Sequence, residues 1–197
     1  MILDIDGVLA NFTLGFTLML KKLVPHAPII SGPWEAKAWD FREYYWPEIT
    51  DRAQLEPVLE ATWDEINKSH EFWCSLPPLW SAQELQSLRE LRPALFLTRR
   101  EGAFVFDQTY RWFLKYGIME PMILRVRSGE EKYQLAAKLG QTVLVDDSPK
   151  NCLQAAEAGM HVLMMDYPYN STVEHKNITR VSSVTQALEL AHKLEEG

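Results

Sequence analysis

Cysteine is nearly absent from this chain of 197 residues, which holds only Cys74 and Cys152. Two thiols so far apart build no disulfide framework. Neither has a partner at metal-binding spacing, so both read as small apolar side chains in a reducing compartment. An excess of positive charge is also missing. There are 20 Lys and Arg against 27 Asp and Glu, a formal net charge of −7. That balance disfavours a nonspecific grip on polynucleotide, which is driven by basic surfaces that release counterions. It leaves room for a local pocket that binds a small anion. Long uncharged apolar runs are lacking, so no membrane partner is expected, and the first residues lack the basic start and cleavage site of a signal peptide. Together the absences imply a cytoplasmic globular protein, with no oligomeric state implied. An apolar fraction of 47% suffices for one packed core, or a core with a small appended domain.

What is present is organised around the first ten residues, Met1 to Ala10. A short apolar run ends in Asp4 and Asp6, followed at once by Gly7. In an extended strand, side chains at i and i+2 leave on the same side, so these two carboxylates can converge where the strand ends, and Gly7 allows a sharp turn there. Taken alone, the stretch reads better as a strand ending in a polar turn, since Asp and Gly are common turn residues. Only Met1, Ile2 and Leu3 precede Asp4, so a short first strand is expected, or a chain trimmed at its N-terminus.

Phe12, Phe16, Met19, Leu20 and Leu23 recur at helical spacing and predict a helix over about 10–24. From Trp34 to Trp80 the chain changes character and holds six of its seven tryptophans. Pro57 fits the first position of a helix carrying Leu59, Trp63 and Ile66, and 69–78 reads as irregular. Residues 10–80 therefore look like a helical insertion. After it comes a regular alternation. Ser81 to Glu84 form a capping box opening a helix that Pro93 stops. Strands are expected at 94–98, 121–126, 142–145 and 161–165, separated by helices over about 103–117, 130–139 and 148–159, with a last helix over about 183–194. Such alternation implies a Rossmann-like α/β fold with a parallel sheet covered on both faces, and ligands in these sheets sit at the carboxyl ends of the strands. That rule selects Asp4 and Asp6, Thr98, and Asp146 with Asp147. Three acidic strand ends on one rim suit a hard cation such as Mg2+, and Thr98, Arg99, Arg100 and Lys132 add donors for a phosphate. A carboxylate screened by a metal and a lysine can attack phosphorus.

Asp4-Ile5-Asp6-Gly7-Val8, then Thr98, Lys132 and Val145-Asp146-Asp147-Ser148, appear in the order of the four motifs of the haloacid dehalogenase (HAD) superfamily, which this chain resembles. The resemblance implies a HAD core formed by 1–9 and 81–197 with a helical cap at 10–80 between the first and second motifs. It implies Asp4 as nucleophile, and Asp6 as general acid/base with its carbonyl also on Mg2+. Thr98 would hold the transferring phosphoryl and Lys132 would offset charge. Asp147 is favoured over Asp146 as the direct metal ligand. A carboxylate at Asp6 points to a phosphatase rather than a dehalogenase.

The layout is also similar to the 5'(3')-deoxyribonucleotidase group, through Asp4 to Phe12, Glu71 to Pro78 and Pro168-Tyr169-Asn170. It departs after Thr98, where Arg99-Arg100 replace a serine and proline. Those arginines read as substrate ligands or as a solvated helix start. The implied substrate is a small phosphate ester, foremost a (deoxy)nucleoside monophosphate; the alternatives are sugar phosphates, nucleic-acid ends, or ligand binding without catalysis. Phe12, Phe16 and Trp63 lie on helical stripes and read as core. Phe41, Tyr44, Tyr45, Trp46, Phe72 and Trp73 fit no stripe and, with Arg99, are the candidate substrate contacts.

Overall fold

The computed structural model describes residues 1–44, 46, 52–90 and 95–196. Six parallel strands form one sheet in the order β3-β2-β1-β4-β5-β6, with β1 Ile2–Asp4, β2 Leu95–Thr98, β3 Met122–Arg125, β4 Val143–Asp146, β5 His161–Met165 and β6 Ile178–Val181. β1 has three residues, as the short run before Asp4 implied, and lies between β2 and β4. β6 was not foreseen: Ile178-Thr179-Arg180-Val181, on the sheet's edge, sets two polar residues between two apolar ones and lacks the apolar run that marks the inner strands.

Side-chain alternation divides the core between the two faces. Leu3, Phe96, Val145 and Leu163 pack on one face with Trp112 and Phe113 of α5 Val105–Lys115 and with Ala187 and Leu188 of α8 Val184–Glu196. Ile2, Leu97, Leu144 and Val162 pack on the other face with Ala136 of α6 Gly129–Lys138 and Ala155 of α7 Pro149–Glu157. Asp4 and Asp146 share the parity of Ile2 and Leu144, so their side chains leave on the α6/α7 face. The Ser81–Glu84 capping box forms and opens α4 Ala82–Glu90: the Ser81 N–H donates to Glu84 Oε2 at 2.7 Å, and the Glu84 N–H to Ser81 Oγ at 3.3 Å. Pro93, the expected stop, lies outside the described residues.

Residues 10–80 carry α1 Phe12–Leu23, a 3-10 turn Phe41–Glu43, α2 Arg52–Lys68 and α3 Phe72–Ser75. The short α3 lies in the stretch expected to be irregular. Pro57 sits inside α2 rather than at its start, the helix having begun five residues earlier at the cost of one backbone donor. The chain leaves and returns at one place. The Asn11 N–H donates to the Pro77 carbonyl and the Leu79 N–H to the Leu9 carbonyl, both at 2.8 Å. Among the described residues no helix is long and apolar enough to cross a membrane.

Candidate active site

The carboxyl ends of β1, β2 and β4 bring together the residues singled out in the sequence. Lys132 comes from the first turn of α6, whose N-terminus is capped by the Ser128 hydroxyl accepting the Glu131 N–H. Its ammonium is buried between Asp4 and Asp146, paired to Asp4 and 3.0 Å from Asp146 Oδ2. Burial works against that charge, but the carboxylates of Asp146 and Asp4 outweigh it and hold the ammonium protonated well above the ordinary lysine range. Asp4, itself buried, also accepts the Ile5 N–H at 2.8 Å. Burial pushes its carboxyl up to about 7, with Lys132 pulling the other way.

The paired acids at the end of β4 differ in what surrounds them. Asp146 is saturated: its oxygens accept from Lys132, from the Ser148 N–H at 2.9 Å and from Asn151 Nδ2 at 3.2 Å. Asp147 accepts the Tyr169 hydroxyl at Oδ2, while its buried Oδ1 has no partner among the described residues. Burial, then the charges of Asp146 and Asp4, push its carboxyl well above the usual range. A buried acceptor left unpaired is costly, and a cation removes that cost. Asp4, Asp146 and Asp147 each offer an oxygen within 4.8 Å of the others, so the donor set fits a hard divalent ion. Gly7, at φ +80°, lets Asp147 approach, for a β-carbon there would sit 2.0 Å from Asp147 Oδ2. Asn170 fixes the backbone of this turn, its Nδ2 donating to the carbonyls of Asp147 and Met165 at 2.9 and 2.7 Å.

The carboxylate of Asp6 lies apart from that cluster. It is gripped by Arg100, whose Nε lies 3.0 Å from Oδ2 and whose Nη2 lies 2.8 Å from Oδ1. Thr98 is buried, and its oxygen accepts the Arg100 N–H at 3.1 Å. Sequence alone did not separate the neighbouring arginines. Arg99 is exposed and has no ion-pair partner among the described residues, whereas Arg100 is buried.

A cavity of about 510 Å³ opens onto these groups, lined at its inner end by Asp4, Asp6, Lys132, Arg99 and Asn151. Its outer wall comes from residues 10–80. Phe41 and Trp73 line it, and so do Phe12, Phe16 and Trp63, the rings whose helical stripe had suggested core. Periodicity identifies the face of a helix that points inward but not whether the space beyond is filled. Phe12 stacks on Trp63 and Trp73 with centroids at 5.5 and 5.7 Å, and Phe16 on Phe41 at 3.9 Å. Tyr44 stacks behind Phe41 at 5.2 Å, outside the lining. Trp46 and Phe72 are buried and do not line the cavity either, Trp46 donating its indole N–H to the Phe41 carbonyl at 2.9 Å. Tyr45 lies outside the described residues. Trp39, Asn151 and Tyr169 were not singled out individually. Asn151 stands three residues after the helix-capping Ser148, a spacing that returns its side chain toward Asp146.

No protein-family model matches the chain. Over 138 residues, covering 68% of this chain and 70% of the relative, it is 27% identical to "Putative nucleotidase YqfW" of Bacillus subtilis (strain 168). A HAD family hydrolase from Deinococcus radiodurans R1, solved with bound phosphate and sodium, superposes with a TM-score of 0.56 at 14% identity, covering 97% of this chain and 95% of that one. The "putative HAD-hydrolase YfnB" of Bacillus subtilis, bound to magnesium, gives 0.56 at 13% identity, covering 97% of each chain. With its parallel sheet and flanking helices, the chain has the fold of the haloacid dehalogenase-like hydrolases.

Proposed function

We propose that this chain is a Mg2+-dependent phosphomonoesterase for a small phosphate ester, foremost a (deoxy)nucleoside monophosphate. The observation that carries the reading is the Asp4–Lys132–Asp146 ion-paired cluster beside the unpartnered Asp147 oxygen, at the floor of an aromatic-walled cavity. Asp4 is the nucleophile. One of its oxygens bonds to phosphorus as the ester P–O bond breaks, giving an aspartyl-phosphate. Asp6 gives a proton to the departing oxygen, then takes one from the water that cleaves the acyl phosphate. Lys132 offsets charge between nucleophile and phosphoryl group. The Thr98 oxygen already accepts a backbone N–H, so its own hydrogen is free to donate to the phosphoryl. Arg99, without an ion-pair partner among the described residues, is a cation for the substrate.

Asp4 and Asp147, with the Asp6 carbonyl, would hold Mg2+, while Asp146 orients Lys132 and Asn151 from behind. When bound, the ion neutralises the phosphoryl oxygens and favours attack by a carboxylate. Residues 10–80 act as a cap over the site. Support comes from the adjacent hydrogen bonds where the chain leaves and returns, and from the rings that this segment adds to the wall. Those rings offer planar surfaces for a base, and the relative whose name reads nucleotidase points the same way. Two free thiols fit the cytoplasm.

The test is phosphate release from a panel of nucleoside monophosphates, sugar phosphates and 5'-phosphorylated oligonucleotides, with Mg2+ and with chelator. Mg2+-dependent turnover greatest on nucleoside monophosphates is expected. Faster turnover of sugar phosphates or oligonucleotides would overturn the substrate assignment, and release unaffected by chelator would overturn the metal requirement.

A further inference from the structure

Arg100 departs from what a phosphate-binding arginine requires. Its side chain is wholly buried, and every nitrogen of its guanidinium is engaged within the protein. Nε reaches both Asp6 oxygens, at 3.0 and 3.2 Å, Nη2 reaches Oδ1 at 2.8 Å, and Nη1 donates to Thr109 Oγ1 at 3.1 Å. Its carbon lies 5.0 Å from the ring centroid of Trp73 and 5.8 Å from that of Trp112. Backbone bonds hold the same residue: its N–H donates to Thr98 Oγ1, and its carbonyl accepts from Arg125 Nε at 3.0 Å. The Nε/Nη2 edge of the guanidinium is taken up by Asp6, and although Arg100 adjoins the cavity its side chain has no exposed surface, whereas Asp6 on the other end of the pair is one-fifth exposed and lines the cavity.

We propose that Arg100 is a positioning residue that fixes the Asp6 carboxyl group against the leaving-group oxygen, an inference that rests on the phosphomonoesterase reading above. A carboxyl group on a free side chain rotates about its last bond. A planar fork bonding both oxygens sets the plane of the group as well as its place. Trp73 and Trp112 pack beside the fork, and Trp73 is itself tied down, its indole N–H donating to the Glu101 carbonyl at 2.9 Å. As the P–O bond breaks, the leaving oxygen takes the Asp6 proton. Asp6 is left as a carboxylate facing the guanidinium, and the attacking water later returns a proton to it. Small displacements of a proton-transfer group cost about 10²-fold in rate.

The experiment measures KM and the single-turnover rate of leaving-group release, which reads the first step alone, on a nucleoside 5'-monophosphate, whose alkoxide leaving group needs a proton, and on p-nitrophenyl phosphate, whose phenolate does not. Arg100→Lys keeps the charge without the fork. It is expected to lower that rate on the nucleotide by about 10- to 100-fold with little change in KM, and to lower it on p-nitrophenyl phosphate far less. The double variant Asp6→Asn/Arg100→Lys is expected to be no slower than Asp6→Asn. Should Arg100→Lys fail to fold by circular dichroism, Arg100→Ala with added guanidinium replaces it, and recovery of nucleotide turnover in Arg100→Ala but not in Asp6→Asn supports the proposal. Equal losses on both substrates, full activity of Arg100→Lys, a double variant slower than Asp6→Asn, or no recovery with guanidinium overturns it while wild-type turnover stands. A wild-type protein that releases no phosphate from either ester overturns the phosphomonoesterase reading itself, and this inference with it.

Discussion

Gly7 and Asp147 approach so closely that a single added carbon would collide: a β-carbon on Gly7 would fall 2.0 Å from Oδ2 and 2.4 Å from the carboxyl carbon of Asp147. The turn after β1 and the turn after β4 are thus fitted to each other. Gly7→Ala must displace the Asp147 carboxylate and also hold alanine at φ +80°, a strain of about 1–3 kcal/mol. The expected result is a lower melting temperature and a weakened response to Mg2+ in calorimetric titration. An unchanged response to both measurements would show that the close approach is unimportant.

Asp147→Asn should separate stability from metal binding. A buried carboxylate oxygen without a partner costs about 1–3 kcal/mol, and an amide carries no charge to desolvate. The metal-free variant at pH 8 is expected to melt at or above the wild type, while stabilisation by Mg2+ is lost. Retained stabilisation by Mg2+ would exclude Asp147 as a direct ligand.

The raised carboxyl of Asp4 sets the sign of a pH dependence. Its folded value of about 7 exceeds the ordinary 3.8. Between these values the unfolded chain releases a proton that the folded chain keeps, so this group makes metal-free stability fall as pH rises from about 4 to 7 and level off above. Binding a cation needs the ionised form, so the stabilisation by Mg2+ should grow over the same window. Melting curves at pH 5, 6, 7 and 8, with and without Mg2+, check both slopes. A shift with Mg2+ that is largest at pH 5 would contradict them.

The ring wall predicts a split between substrates. Stacking on a base is worth about 1–3 kcal/mol, so Trp63→Ala should raise KM for a nucleoside monophosphate by about tenfold and leave KM for a small alkyl phosphate nearly unchanged. Equal effects on both would mean that Trp63 supports the fold of α2 rather than the ligand.

Sequence made the acidic rim legible for a simple reason. A parallel sheet exposes its strand ends on one side, so acidic residues that follow apolar runs had to meet there, and Asp4, Asp146 and Asp147 do. Parity added which helix faces them, since Asp4 and Asp146 side chains leave on the face covered by α6 and α7 and meet Lys132 and Asn151 there. What escaped depended on long-range partners. The Arg99-Arg100 doublet has no local signal telling which member is buried, because that is decided by Asp6 and Trp73, 94 and 27 positions away. Phe16 is the buried core ring that its period implied and Phe12 packs against that core, whereas Trp63 stays more than one-third exposed beside the cavity. Pro57 suggested a helix start that neighbouring residues pre-empted, and β6 had too little apolar character to stand out.

Asp4→Asn tests the central claim most directly. Asparagine keeps the shape of the side chain, removes the charge proposed to attack phosphorus and frees Lys132 from one partner. Initial rates of phosphate release from p-nitrophenyl phosphate and a nucleoside monophosphate, in saturating Mg2+, should drop to background while the variant still melts cooperatively. A folded Asp4→Asn protein that hydrolyses either ester at near the wild-type rate would contradict the account.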